Sequence, residues 1–303
     1  MVRTILQRVG FAVLSMLTIT LLVFGMVRLT GDPAYYLLPQ DAPKAMEERL
    51  RRELGLDEPL PVQFVIYVGN VLRGDLGMSF RNKVPVADMI AQRIPATLMM
   101  ASGAIFLTLI VGIPLGIYSA YWRGGYLDRV SRGLAALGQS VPSFWVGLIL
   151  ILVFAVALGI LPSSRYGELQ HLILPSVTLA LGAVAGLIRL LRSSMIEALN
   201  SDYVMFLRMN GLPERSVLWK HALRNAGLTT LSFVGVLTAG LLTGSVLVET
   251  VFVWPGVGRL MVEGIGFRDF NVVQGVMLFF AAVYIGVNLI VDLLYAVLNP
   301  RLR

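Results

Sequence analysis

Along this chain, charge-free apolar runs alternate with shorter stretches that carry nearly all the charge. Six runs are long: 9–27, 94–122, 133–164, 169–188, 225–248 and 270–291. A helix crosses the hydrocarbon core in about 20 apolar residues, because lipid cannot satisfy an unpaired backbone N–H or C=O. The pattern therefore predicts six transmembrane helices in an all-α, polytopic membrane protein. Pro59 to Leu72 is apolar but short and interrupted by Gln63, Tyr67 and Asn70, so it reads as an interfacial helix. Asp41 to Gly55 predicts an amphipathic helix with Met46, Leu50 and Leu54 on one face, Glu47/Arg51 and Glu48/Arg52 four apart, and Gly55 as its stop. The pairs Gly112/Gly116, Gly182/Gly186 and Gly240/Gly244 mark helix faces where backbones can approach closely.

Composition agrees. Only 14% of the 303 residues are charged, against roughly 25% in a soluble domain, which argues against a water-soluble fold. The net charge of +7 would otherwise suggest nucleic acid, but in a membrane chain basic residues collect in cytoplasmic loops. Nucleic-acid binding is therefore not expected. Arg3 and Arg8 precede the first run as in a secretory signal, yet no small-residue cleavage site follows, so this run is read as a retained span. With the N-terminus in the cytoplasm, cytoplasmic segments hold 13 Lys/Arg and the two short outer loops hold three, Arg165, Arg259 and Arg268. That asymmetry predicts cytoplasmic N- and C-termini. The expected organisation is a first helix at 1–29, an extracytoplasmic loop at 30–95, and a five-helix core at 96–303 with a cytoplasmic loop at 189–227.

Catalytic chemistry is hard to assemble. Cys is absent, and His171 and His221 fall on opposite sides of the predicted bilayer, where each reads as a polar residue at a helix end. No metal site and no cofactor are expected. A phosphate-binding loop needs Gly-Lys-Ser/Thr, whereas Lys44, Lys83 and Lys220 follow Pro43, Asn82 and Trp219. Ionisable residues that would mark proton or sodium coupling are missing from the runs, with Glu249 and Asp292 only at their borders. Active transport would then draw energy from another polypeptide; a channel or secondary carrier working without ATP is the alternative.

The loop 189–227 has informative punctuation. Asp202 can cap a short helix starting at Tyr203, Gly211 can take the left-handed position that ends it, and Pro213 sits where a following helix would start. Such a helix exposes apolar side chains to the cytoplasm unless a partner or the bundle covers them. On the other side, Glu249 to Gly258 holds Trp254, Pro255 and Gly256, which break the fifth helix at the outer surface. This reads either as part of an outer gate or docking surface, or as a turn anchored by an interfacial Trp.

Eight ordered blocks then carry a resemblance: GDPA at 31–34, LGLDEPLPVQF at 54–64, GNVLRGDLGMSF at 69–80, VPSFWVGL at 141–148, DYV and NGL within 202–212, HALRNA at 221–226, ETVFVWPGVGRL at 249–260 and VDLLYAVLNPRLR at 291–303. Together the chain resembles the permease subunits of dipeptide, oligopeptide and nickel ABC importers. The resemblance implies a type I importer permease fold, a second homologous permease, two ATP-binding subunits or domains, an extracytoplasmic substrate-binding protein, and a bacterial or archaeal cytoplasmic membrane. It makes the short cytoplasmic helix the coupling element that docks on the ATPase, with Asp202, Tyr203, Phe206, Leu207, Arg208, Asn210, Gly211 and Leu212 as its residues. Glu249, Trp254, Pro255 and Gly256 become the candidate outer gate or binding-protein contact. Where this family commonly has small residues before the glycine, this chain has Met205, Phe206, Leu207, Arg208, Met209 and Asn210.

Overall fold

The computed structural model describes residues 2–30, 43–53 and 55–298. In chain order the helices are α1 (Val2–Thr30), α2 (Lys44–Glu53), α3 (Leu60–Leu72), α4 (Val86–Tyr121), α5 (Tyr126–Ser140), α6 (Ser143–Leu150), α7 (Leu169–Leu199), α8 (Asp202–Met209), α9 (Glu214–Ser216), α10 (Leu223–Thr243), α11 (Val246–Val251), α12 (Val257–Gly266) and α13 (Phe270–Leu298). A π-helical stretch, Ile151–Ala157, extends α6, and another, Val217–Ala222, joins α9 to α10. No strand occurs among the described residues.

Five helical segments are long and apolar enough to cross a membrane, and α5 with the α6 segment makes a sixth if that bent pair is one span. Here the run expected as the third transmembrane helix proves to be bent. The run 133–164 breaks at Val141 and Pro142, where the axis turns by 106°. Proline has no N–H to donate and pushes the residue before it out of the helical region; Val141 accordingly has φ −97° and ψ 128°. The fifth run is also interrupted, between α10 and α11 at Gly244 and Ser245.

The expected interfacial helix is α3. The amphipathic helix is α2, which ends as anticipated at Gly55: its φ is +62°, and Leu56 N donates to Arg51 O at 2.9 Å. Asp41 lies outside the described residues.

α4 and α7 form the most extensive helix pair. In lipid, helix association depends on close packing, since the tails are as apolar as the side chains. Gly112 and Gly116 supply it, lying directly against Leu187 and Leu191. Gly186 meets the Phe233 ring, whereas Gly182 and Gly240 touch no other helix so closely. Around the α4/α7 seam, one buried cluster holds Met100, Leu174, Leu241, Phe252 and Trp254, and a second holds Ile117, Leu187, Leu191, Met195 and Leu218. α1 packs on α13, with Arg8 ion-paired to Asp292, and leaves Leu14, Leu17, Leu21 and Leu22 exposed, as a lipid-facing helix does.

Candidate coupling helix and outer corner

The loop between α7 and α10 folds as a helix between two turns. Ser201, extended at φ −84° and ψ 150°, holds the N-cap position, and Asp202 is the first helical residue. This corrects the expectation that Asp202 caps a helix starting at Tyr203; both residues suit the start, and the backbone turns one position earlier. The end is as expected. Gly211 has φ +76°, its N–H donates to Arg208 O at 2.9 Å, and Leu212 N donates to Leu207 O at 3.2 Å. These two bonds satisfy carbonyls that a helix end would otherwise leave without partners.

Within α8, Val204 is fully buried and Leu207 half-buried, fixing one face to the bundle. Met205, Phe206 and Met209 are 63, 66 and 76% exposed on the other. The Arg208 guanidinium donates to Glu214 Oε1 at 2.6 Å, which ties α8 to the start of α9 and raises the Arg208 pKa further above its ordinary value. Asn210 bonds back to Phe206 O at 2.8 Å. The Tyr203 hydroxyl is buried without a hydrogen-bond partner. Below α10, Trp219 Nε1 donates to the Tyr118 hydroxyl at 3.3 Å, joining the π-helical stretch to the end of α4.

At the far end of α10, about 31 Å away at 1.5 Å per residue, Glu249, Trp254, Pro255 and Gly256 come together. Glu249 is fully buried. Its Oε1 accepts from Thr97 Oγ1 and Ser245 Oγ, both at 2.8 Å, and its Oε2 accepts from Arg259 N at 2.9 Å. Thr97 Oγ1 in turn accepts from Val257 N at 2.9 Å. A buried carboxylate costs several kcal/mol unless such donors surround it. Gly256 is required because any side chain there would run into the Glu249 carboxyl group.

Trp254 is fully buried, with its indole Nε1 donating to Ala96 O at 2.8 Å and its ring edge-on to Tyr166 at 4.9 Å. This overturns the reading as a plain turn anchored by an interfacial Trp: the indole plugs the corner against α4. The turn itself has the same hydrogen bonding as the end of α8, with Trp254 N donating to Glu249 O at 2.8 Å, but its left-handed residue is Val253 at φ +54°. A β-branched residue there is strained by about 1–3 kcal/mol.

Sequence reasoning singled out neither Thr97 nor a second polar centre. Asp128, 1% exposed, accepts from Arg192 Nε at 2.6 Å, Arg192 Nη2 at 3.1 Å, Ser119 Oγ at 2.9 Å and Gly124 N at 2.9 Å, locking the α4–α5 turn to α7. His171 and His221 sit in the first turn of α7 and in the π-helical stretch before α10, and neither joins these centres.

Residues 112–303 match the family described as binding-protein-dependent transport system inner membrane component, and residues 1–101 match the family of its N-terminal region. A provisionally named peptide transport system permease protein of Brucella abortus is 41% identical over 312 residues, covering 100% of this chain and 99% of that one. The glutathione transport system permease protein GsiC of Escherichia coli K12 is 40% identical over 304 residues, covering 100% of this chain and 99% of that one. A chain from inward-facing structures of the MetNI methionine ABC transporter superposes with a TM-score of 0.59 at 17% identity, over 70% of this chain and 96% of that chain. An all-helical, multi-pass chain with this fold and these relatives is the permease subunit of an ABC importer. It belongs to the binding-protein-dependent transport system inner membrane component family.

Proposed function

We propose that this chain pairs with a second, homologous permease to form the translocation pathway for peptides or similarly small solutes. Two ATP-binding subunits or domains hydrolyse ATP, and an extracytoplasmic substrate-binding protein delivers cargo. The proposed setting is a bacterial or archaeal cytoplasmic membrane, with both termini and the loop 189–227 in the cytoplasm and residues 30–95 outside. The relatives named for peptide and glutathione transport support the cargo class.

The observation that carries this reading is the exposed face of Met205, Phe206 and Met209 on a helix whose other face is buried and whose end is fixed. Three large apolar side chains in water are unfavourable unless a partner groove receives them. Closure of the ATPase pair would then push α8. Arg208–Glu214 and the Gly211 turn pass the displacement to α9 and α10, and α10 leads to the corner where Glu249 and Trp254 grip α4. Reversing a 1:99 equilibrium takes about 5.5 kcal/mol of differential interaction, so the handle must be rigid. The test replaces Phe206 with Glu and measures recovery of the ATPase subunit with the tagged permease from solubilised membranes, alongside peptide uptake. Loss of both at unchanged membrane abundance is expected; full recovery and uptake would refute docking through this face.

A further inference from the structure

The break between α5 and α6 lies deep in the span, and its packing on α7 fixes the depth. A Cβ on Gly138 would stand 2.9 Å from the Ala185 Cβ and 3.1 Å from Leu181 O, and one on Gly147 would stand 3.3 Å from Thr178 Cγ2. Val141 and Pro142 therefore sit beside the interval from Thr178 to Ala185. The charge-free run 169–188 has its centre between Thr178 and Leu179. At about 1.5 Å per residue the break is within about 10 Å of that centre, inside a hydrocarbon half-thickness of about 15 Å. Polar groups are left over at this level. Pro142 has no N–H to offer Gly138 O, its partner in an unbroken helix. α6 restarts after Pro142, at φ −60° and ψ 133°, and of its first N–H groups those of Trp145 and Val146 reach Pro142 O at 3.1 and 3.2 Å. Ser143 N and Phe144 N have no such acceptor among the described residues. The Gln139 amide and the Ser143 hydroxyl make no hydrogen bond among the described residues either, and Gln139, Pro142 and Ser143 are exposed.

Lipid can satisfy neither an N–H nor a C=O, so irregular backbone at membrane depth persists only where protein buries it or water borders it. This chain leaves it uncovered. We infer that the break borders the aqueous translocation pathway and holds cargo there by its peptide backbone, with Gln139 as the principal contact. The inference rests on the transport reading above and adds where in the chain a peptide is held. Gln139 brings two N–H donors and a carbonyl acceptor, Gly138 O is a further acceptor, and Ser143 N is a further donor. These are the groups that a peptide bond offers in return. A site of this kind recognises the amide common to all peptides and is indifferent to their sequence. Phe144 and Trp145, 41 and 52% exposed, add apolar surface on which varied side chains can lie.

The chain has no Cys, so a single cysteine reports its own surroundings. Gln139→Cys is introduced into the importer assembled with its partners, in membranes open on both faces, and its rate of reaction with a cationic methanethiosulfonate is measured with and without trialanine. Leu17→Cys, on the exposed face of α1, is the lipid-facing control. A thiol in apolar surroundings stays protonated and inert, so Gln139→Cys should react at least about tenfold faster than the control, and trialanine should slow it. In parallel, Gln139→Leu should lower trialanine uptake at least about fivefold, the loss expected of one hydrogen bond, at unchanged membrane abundance and ATPase recovery, and Gln139→Asn should keep most of it. Reaction no faster than the control places the break in lipid or seals it against the second permease, and overturns the inference. Reaction that trialanine leaves unchanged, or wild-type uptake by Gln139→Leu, overturns the cargo contact. Fast reaction in an importer that takes up no peptide even as wild type upholds the water-facing break and instead refutes the peptide reading proposed above. Should Gln139→Cys fail to assemble, Ser143→Cys reports from the other side of the break by the same criteria.

Discussion

The turns that end α8 and α11 use the same hydrogen bonds with opposite residues, Gly211 and Val253, and exchanging one of them tests how displacement reaches the bundle. At Gly211, φ is +76° and a Cβ built there meets nothing within 4 Å. Gly211→Val therefore introduces no clash, and its whole cost is backbone strain, about 1–3 kcal/mol for a β-branched residue in the left-handed region. The chain can escape that strain only by rotating out of the region, which breaks the bonds Gly211 N to Arg208 O and Leu212 N to Leu207 O and lets α8 tilt. Either route removes rigidity from the handle. Set against about 5.5 kcal/mol needed to reverse the transport equilibrium, a loss of this size changes the coupling constant by about 5- to 150-fold. Gly211→Asn should lose less, because Asn tolerates the left-handed region better than other non-glycine residues. The assay is uptake of labelled peptide by cells holding each variant at matched membrane abundance, with recovery of the ATPase subunit measured in parallel. Wild-type uptake by the Val variant refutes the reasoning. Disappearance of that variant from the membrane would instead assign Gly211 to folding alone.

Three further outcomes are expected. Val253→Gly relieves the reciprocal strain at φ +54° and should raise the thermal unfolding midpoint in detergent, the gain of about 1–3 kcal/mol being offset by about 0.4–1 kcal/mol of unfolded-chain entropy; a lowered midpoint contradicts the strain. Thr97→Val strands Val257 N, at about 1–3 kcal/mol, and leaves Glu249 Oε1 with Ser245 Oγ as its remaining donor, so it should lower the same midpoint, whereas Thr97→Ser should restore it; identical midpoints for Val and Ser deny Thr97 its bridging role. Since the chain has no Cys, single cysteines at Ser164 and Ser216 report orientation: an impermeant thiol reagent on intact cells should label the first and spare the second, and the reverse pattern inverts the topology.

The helices were legible because charges are excluded from lipid, and that rule locates helical runs without regard to their straightness. Hydropathy is blind to a missing N–H, so Val141 and Pro142 passed unnoticed inside an apolar run although Pro142 itself carries the signal for the 106° turn. Gly211 could be placed because its left-handed conformation and the nearby Pro213 are local. Thr97 could not, since a lone hydroxyl in an apolar run has no local signature and its carboxylate partner is 152 residues distant. Arg192 and Asp128 were hidden for the same reason, 64 residues apart at helix ends that only the folded bundle brings together. Trp254 shows the opposite failure: its type suits an interface, and only the carbonyl of Ala96 reveals that its N–H is spent inside.

The buried carboxylate of Glu249 also bears on how the chain enters the bilayer. An acidic residue in a span adds roughly 2.5–3.5 kcal/mol to the insertion of an isolated helix when it lies near the centre and less toward its ends, so Glu249, at the border of its run, makes the segment from α10 to α11 costlier to partition alone. Its remedy lies upstream. Thr97 on α4 is synthesised 152 residues before Glu249, so the donor is already in the membrane when the acceptor emerges. Order of synthesis thereby becomes part of the fold: a circularly permuted chain that made α10 and α11 before α4 would present the same residues to the translocon with the carboxylate still lacking its α4 partner.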